Sequence, residues 1–119
     1  MIISTQEITV PKIALPLPAP EELENLFTQY ATEYQVSSDT LKIIANCESK
    51  FNPTIQSKNG LYGGLFQYSK STWISTRKAM GLDENPELRF DAEEAIKTTA
   101  FKIANGGIGA WTHCAKKAL

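Results

Sequence analysis

No apolar run approaches the ~18 residues that a membrane-spanning helix needs, so a membrane span is not expected. A basic excess is missing as well. Twelve Lys and Arg stand against thirteen Asp and Glu, a net charge of −1, and the calculated pI is about 5.8. That argues against a nucleic-acid partner held through phosphate contacts. One histidine and two cysteines, Cys47 and Cys114, without CxxC spacing, make a poor zinc ligand set, and no metal or organic cofactor is expected. Two cysteines are also too few for a disulfide-framework mini-protein. The residues alone leave open a single long-range bridge or two buried thiols. Residues 1–10 have no basic stretch and no continuous apolar core, so they are not expected to act as a signal peptide. Neither GxGxxG nor GxxxxGK[ST] occurs, which weakens any phosphate-cradling role for the glycines.

What is present suits one compact domain. The chain of 119 residues is 42% hydrophobic and 21% charged, close to ordinary globular usage, and too short for two full domains. Residues 1–20 read as a Pro-rich N-terminal linker: Ile13-Ala14-Leu15-Pro16-Leu17-Pro18-Ala19-Pro20 alternates proline with small and apolar residues and favours an extended path. Residues 21–119 are expected to fold. Pro20 and Glu21-Glu22-Leu23-Glu24 make a good helix start, and Leu23, Leu26, Phe27, Tyr30 and Tyr34 follow on one face. Ser37-Ser38-Asp39 offers N-caps for a second helix running to about Ser49. A third is predicted from Ser69 to Met80 with Gly81 as its stop, and a fourth from a capping box at Asp91 and Glu94 to about Ala104. A last helix would carry Ile108, Trp111, Cys114, Ala115 and Ala118 on one face, and Glu93 with Lys97 would form a surface pair. Between the second and third helices, Asn52-Pro53 and Gly60, Gly63 and Gly64 predict a loop or short hairpin. The expected fold class is α+β, predominantly α, with a small irregular or β-hairpin insertion.

The second helix carries the most informative oddity. Leu41, Ile44, Ala45 and Glu48 occupy one arc, flanked by Ile43 and Cys47, while Lys42, Asn46 and Ser49 share the other side. A carboxylate therefore falls on the apolar face, in the last turn. The negative end of the helix dipole and the apolar neighbours both favour the protonated acid. A carboxylic acid held neutral near pH 7 is what protonates a poor leaving group such as a glycosidic oxygen. An ion pair with Lys50, Arg77 or Arg89, or a reach into solvent past the helix end, would account for the same position structurally. Tyr62, Tyr68 and Trp73 are candidate platforms for pyranose faces, or core; Tyr62, in the turn, is the one expected to be exposed. Gly63 and Gly64 permit close backbone approach to a polysaccharide, or simply a tight turn, and the Gln67 amide can bond sugar hydroxyl and acetamido groups. Trp111 is read as core and His113 as solvated.

Cys47-Glu48-Ser49, then Phe51-Asn52-Pro53, Tyr62-Gly63-Gly64-Leu65-Phe66-Gln67 and Ser71-Thr72-Trp73, together resemble the lysozyme-like peptidoglycan-cleaving enzymes. The Glu-Ser-x-Phe-Asn-Pro run and Gly64-Leu65-Phe66-Gln67 are similar to the soluble lytic transglycosylase domain. Cys-Glu-Ser, Tyr-Gly-Gly-Leu, Ser-Thr-Trp and the closing Gly109-Ala110-Trp111 with Cys114 are similar to resuscitation-promoting-factor domains. The resemblance covers roughly residues 38–115. Two departures favour the second branch. The transglycosylase family's Ala-Tyr-Asn-Ala-Gly element is not visible, with Ile103-Ala104-Asn105-Gly106-Gly107 in its place, and the stretch from Ser57 to Gln67 is slightly longer than that family's spacing.

This resemblance implies a lysozyme-like fold, a disulfide between Cys47 and Cys114, and Glu48 as the catalytic acid. It implies a peptidoglycan glycan strand as the partner, with Ser57, Tyr62, Gly64, Gln67, Tyr68, Thr72 and Trp73 as substrate-binding residues. It also implies the lytic transglycosylase scheme, in which a single acid cleaves the β-1,4 bond between N-acetylmuramic acid and N-acetylglucosamine and leaves a 1,6-anhydro sugar. Nothing near Glu48 in sequence supplies a second carboxylate; Asp83, Glu84, Glu87 and Asp91 would serve a two-carboxylate hydrolase only if the fold brought them over. A hydrolytic muramidase and a catalytically vestigial wall-binding module are the alternatives. The enzyme is expected to be a monomer acting outside the cytoplasm, whether secreted, wall-associated or phage-borne, because a disulfide persists in oxidising surroundings.

Overall fold

The computed structural model describes residues 19–118. The linker expected over residues 1–20 lies outside them, except for Ala19 and Pro20. Ala19 is buried at the start of the core, and its N–H donates to the Glu24 carboxylate at 3.1 Å. Five α-helices form among the described residues: α1 Glu21–Tyr34, α2 Ser38–Ser49, α3 Lys70–Met80, α4 Ala92–Ala104 and α5 Thr112–Ala115. Their starts follow local capping chemistry. Ser37 accepts from the Thr40 N–H, Ser69 from Thr72 and Asp91 from Glu94, each satisfying one orphan donor of the first turn. α1, α2 and α3 end on the left-handed residues Gln35, Lys50 and Gly81. α1 packs on α2 and α4, and α2 on α5, around a core that includes Leu23, Phe27, Leu41, Ile44, Ile96 and Trp111. No helix of the described residues is long and apolar enough to cross a membrane.

Several side chains depart from what periodicity predicts, and each has a partner distant in sequence or within its own helix. Ser49 is buried rather than on the polar side, its hydroxyl donating to the Ala45 carbonyl at 2.9 Å; back-bonding lets a small polar residue take a core position. Glu94 does not complete the capping box, because its carboxylate faces Arg77 and Lys97. Glu93 accepts from the buried Tyr30 hydroxyl, so Lys97 pairs at three-residue spacing with Glu94 rather than at four with Glu93. The closing segment is no single helix. It runs as a 3-10 turn Ile108–Trp111, then α5, then a 3-10 turn Lys116–Ala118. Gly106, Gly107 and Gly109 weaken helix propensity there, and Trp111 leaves the helical region with ψ at 49°.

Residues 50–69 form turns joined by two isolated antiparallel bridges, Gln56 with Gly63 and Gly63 with Tyr68. The described residues contain no β-strand, so the architecture is predominantly α with an irregular insertion. Pairing stops where Gly64 and Gln67 turn left-handed, at φ 87° and 53°. The insertion is clamped to the 3-10 turn Pro86–Phe90. A side chain at Gly63 would strike the Phe90 ring, and one at Gly64 would strike the Arg89 carbonyl. These glycines admit a neighbouring piece of the same chain.

Candidate functional site

Glu48 is the penultimate residue of α2 and is half-buried. Two successive left-handed residues follow closely, Lys50 at φ 52° and Phe51 at φ 63°, a conformation that costs a non-glycine residue about 1 kcal/mol or more. Packing holds them there: the Lys50 N–H donates to the Asn46 carbonyl at 2.9 Å, and the Phe51 ring lies edge-on to buried Phe27 at 6.1 Å. On the other side of Glu48, Cys47 is bridged to Cys114 with the Cα atoms 5.7 Å apart. The helix end is therefore fixed immediately before and after the acid.

Among the described residues, no ion pair or hydrogen bond reaches the Glu48 carboxylate. Burial pushes its carboxyl above the usual carboxylate range. The arginines considered as partners are engaged elsewhere. Arg77 donates to the Asp83 carbonyl (2.7 Å), Glu94 (2.8 Å) and the Thr98 hydroxyl (2.9 Å). Arg89 donates to the carbonyls of Pro86 (2.8 Å) and Tyr68 (2.9 Å). An acid that is desolvated and uncompensated holds its proton to higher pH.

A cavity of about 80 Å³ lies between the start of α3 and the turn ending at Trp111. Tyr62, Gln67, Tyr68 and Thr72 line it, joined by Ser69, Ala110 and Trp111; Glu48 is not among its lining residues. Beneath it Tyr68 packs edge-on to Trp73 (5.0 Å) and Trp111 (5.6 Å), and Phe66 to Trp111 (6.1 Å). The Trp111 indole N–H donates to the Phe66 carbonyl at 2.8 Å, and the hydroxyls of Tyr68 and Thr99 bond at 2.9 Å. Buried aromatic contacts with satisfied polar ends make this floor rigid.

The substrate residues expected from the sequence divide into two groups. Tyr62 is 45% exposed, and with Thr72 and Gln67 it faces the cavity. Gln67 donates its side-chain N–H groups to the carbonyls of Ile55 (3.2 Å) and Gly64 (2.9 Å), so its carboxamide oxygen is the group left for a ligand. The other four are placed differently. Trp73 is fully buried with its indole N–H on the Asn85 carbonyl at 3.0 Å, which makes it core and removes it as a sugar platform. Tyr68 borders the cavity but is only 3% exposed, its ring packed against two tryptophans. Ser57 organises the turn: its hydroxyl donates to Asn59 (2.8 Å) and accepts from the Tyr62 N–H (3.1 Å). Gly64 is buried, with its N–H on the Ile55 carbonyl (2.9 Å) and its own carbonyl accepting from Gln67. Asp83, Glu84, Glu87 and Asp91 do not line the cavity. The carboxylates of Asp83 and Asp91 accept from the backbone N–H groups of Asn85 (3.0 Å) and Glu94 (2.9 Å). Ser69 and Ala110 were not singled out as ligand contacts by the sequence, although Ser69 adjoins the Ser71-Thr72-Trp73 motif and Ala110 sits in the Gly109-Ala110-Trp111 motif.

The predominantly helical architecture is consistent with a lysozyme-like domain. The chain belongs to the transglycosylase-like domain family, whose match runs over residues 36–114. It is 36% identical over 88 residues to the peptidoglycan transglycosylase gp16 of Escherichia phage T7, covering 71% of this chain and 6% of that protein. It is 38% identical over 73 residues to the resuscitation-promoting factor Rpf1 of Corynebacterium glutamicum, covering 60% of this chain and 35% of that protein. The chain thus spans a small fraction of the first relative and about a third of the second. No solved structure matches it.

Proposed function

We propose that the chain cleaves the β-1,4 bond between N-acetylmuramic acid and N-acetylglucosamine in bacterial peptidoglycan, with Glu48 as the catalytic acid and 1,6-anhydro sugars as products. The observation that carries this reading is the Glu48 carboxyl, half-buried, raised by burial and without a described partner. Family membership and the likeness to a peptidoglycan transglycosylase support the substrate class. In the proposed sequence, neutral Glu48 gives its proton to the glycosidic oxygen as the bond from that oxygen to the anomeric carbon breaks. The neighbouring N-acetyl group stabilises the positive charge at that carbon. The Glu48 carboxylate then takes the proton of the sugar's own 6-hydroxyl, whose oxygen closes onto the anomeric carbon. Glu48 ends protonated, as it began, and no water enters. The scheme needs no second carboxylate. Tyr62, Thr72 and the Gln67 carboxamide oxygen are the proposed sugar contacts. Residues 21–119 are the proposed catalytic unit, working outside the cytoplasm where the Cys47–Cys114 bridge persists.

Purified peptidoglycan digested with wild type and with Glu48→Gln, followed by mass spectrometry of the released muropeptides, tests the reading. The variant is expected to lose at least about a hundredfold in rate while keeping its circular dichroism. Unchanged release by the variant would overturn the role of Glu48. Products one water heavier than the anhydro form would make the chain a hydrolytic muramidase. Binding to insoluble wall without soluble fragments would make it a wall-binding module.

A further inference from the structure

A second and larger cavity, about 230 Å³, opens further along α3. Its walls continue those of the first. Ser69 and Thr72 line the first cavity, Ser75, Thr76 and Ala79 the second. The hydroxyls of Ser75 and Thr76 both donate to the Thr72 carbonyl, at 3.2 and 2.8 Å, so the two sets stand on adjacent helical turns, about 5.4 Å apart along the axis. On the facing wall Ala110 lines the first cavity and Gly107 the second, and the Ala110 N–H donates to the Gly107 carbonyl at 3.1 Å. A strand lying over the first cavity therefore has the second within reach of a substituent.

The chemistry of this second cavity is mixed and specific. Phe101, braced by Tyr34 at 6.1 Å, and Ala79 supply apolar surface. Ser75 and Thr76 have their hydroxyl hydrogens on a helix carbonyl, and the Asn105 side-chain N–H is on the Phe101 carbonyl at 2.8 Å. These three offer a ligand oxygen acceptors, and Asn105 keeps one further N–H. The cation is Lys102, and no acidic side chain lines the cavity. Lys102 forms no ion pair among the described residues. Its position is set by Gly107, where a Cβ would meet the Lys102 Cγ at 2.6 Å and the Lys102 carbonyl oxygen at 2.9 Å. The glycine keeps the wall flat enough for the lysine stem to lie across it.

Acceptors for N–H groups, one ammonium and a patch for methyl groups complement a short acidic peptide containing alanine. An uncharged sugar offers Lys102 hydrogen-bond acceptors but no opposite charge. We propose that this cavity binds the acidic stem peptide that peptidoglycan carries on its muramic acid residues, with Lys102 holding a peptide carboxylate. The inference rests on the substrate class proposed above and names the part of that substrate read outside the cleavage site.

The test separates binding from cleavage. Isotope-labelled protein is titrated with the soluble peptide N-acetyl-L-alanyl-γ-D-glutamyl-L-lysyl-D-alanine, whose acylated N-terminus leaves it net acidic, while the amide resonances of Lys102, Asn105 and Gly107 are followed. Saturable shifts at these positions are expected. Lys102→Gln should weaken binding about fivefold, the order of an exposed ion pair, and amidating the peptide carboxylates should do the same in wild type without adding to the variant's loss. Absent shifts, or equal affinity in variant and wild type, would overturn the inference. In a second arm, wild type should cleave stem-bearing glycan about fivefold more efficiently than strands stripped by an amidase. Lys102→Gln should lose that preference while cleaving stripped strands as before. Equal cleavage of both by wild type would also overturn the inference. Cleavage of neither would overturn the proposed function instead, and the peptide titration would still decide this one.

Discussion

Glu94 and Glu48 are both half-buried glutamates on helices that share one core. Glu94 accepts from Arg77 at 2.8 Å and faces Lys97 at 3.5 Å, and Arg77 is itself tied to Thr98 and the Asp83 carbonyl. Glu48 has no such company among the described residues, although Lys50 stands two residues away in sequence. The contrast shows that burial alone does not keep an acid available for proton transfer; the fold must also hold its cations elsewhere. The two buried arginines do so here, one on a carboxylate and one on carbonyls. Their arrangement is as much a part of the candidate site's electrostatics as the acid.

The contrast can be broken from either side. The largest stability effect is expected for Arg77→Met, which would leave Glu94 without its main partner; breaking a buried pair in this way costs about 3–5 kcal/mol, measurable by urea denaturation. A loss below about 1 kcal/mol would mean that Glu94 never needed its cation. Replacing both cysteines with serine should cost about 2–4 kcal/mol and should lower wall cleavage as the end of α2 loosens. Undiminished cleavage would show that the acid does not depend on its mooring.

Glu48→Gln should act in the opposite sense on stability. The folded carboxyl keeps its proton to higher pH than the unfolded one, whose ordinary pKa is about 4.3. The native state therefore binds more protons between those two values, and wild-type stability falls as pH rises through that window. The glutamine variant does not titrate, so its melting temperature should match wild type below the window and exceed it above. A variant less stable than wild type at neutral pH would reveal a cation paired with Glu48. Wild-type cleavage should fade as pH climbs past the same raised value. The smallest effect is expected for Tyr62→Ala, which should raise KM about threefold, the scale of one partly exposed contact, with stability unchanged within about 0.5 kcal/mol.

Helix boundaries were legible wherever a cap is a local device. Asp91 and Gly81 stand at the positions the sequence assigns, Ser37 is one of the three caps it offers, and Ser69 caps the third helix rather than opening it; capping needs only neighbours within a turn. Glu48 was legible as an acid on an apolar arc for the same reason. Residues whose partners are distant were not. Glu93 turns to Tyr30 and Glu94 to Arg77, and no helical wheel contains those choices. Gly63 and Gly64 announce a turn, but the Phe90 and Arg89 groups that forbid a side chain lie far along the chain. Left-handed Lys50 and Phe51 carry no glycine or asparagine signal at all. The Cys47–Cys114 bridge spans 67 residues and was readable only through the family resemblance, since neither cysteine has a local pattern. Tyr62 was placed by its turn, whereas the full burial of Trp73 depends on Asn85 and Arg77 closing over it.

The sulfur link has one more consequence. Glu48 and every segment that walls either cavity lie between the two joined cysteines in sequence. A protease would reach first for the exposed tip at residues 58–61, and severing the backbone there opens a ring without detaching either piece. Such a nicked chain would migrate at full size until a reductant let it fall to about half, with its acid and its groove until then covalently one molecule.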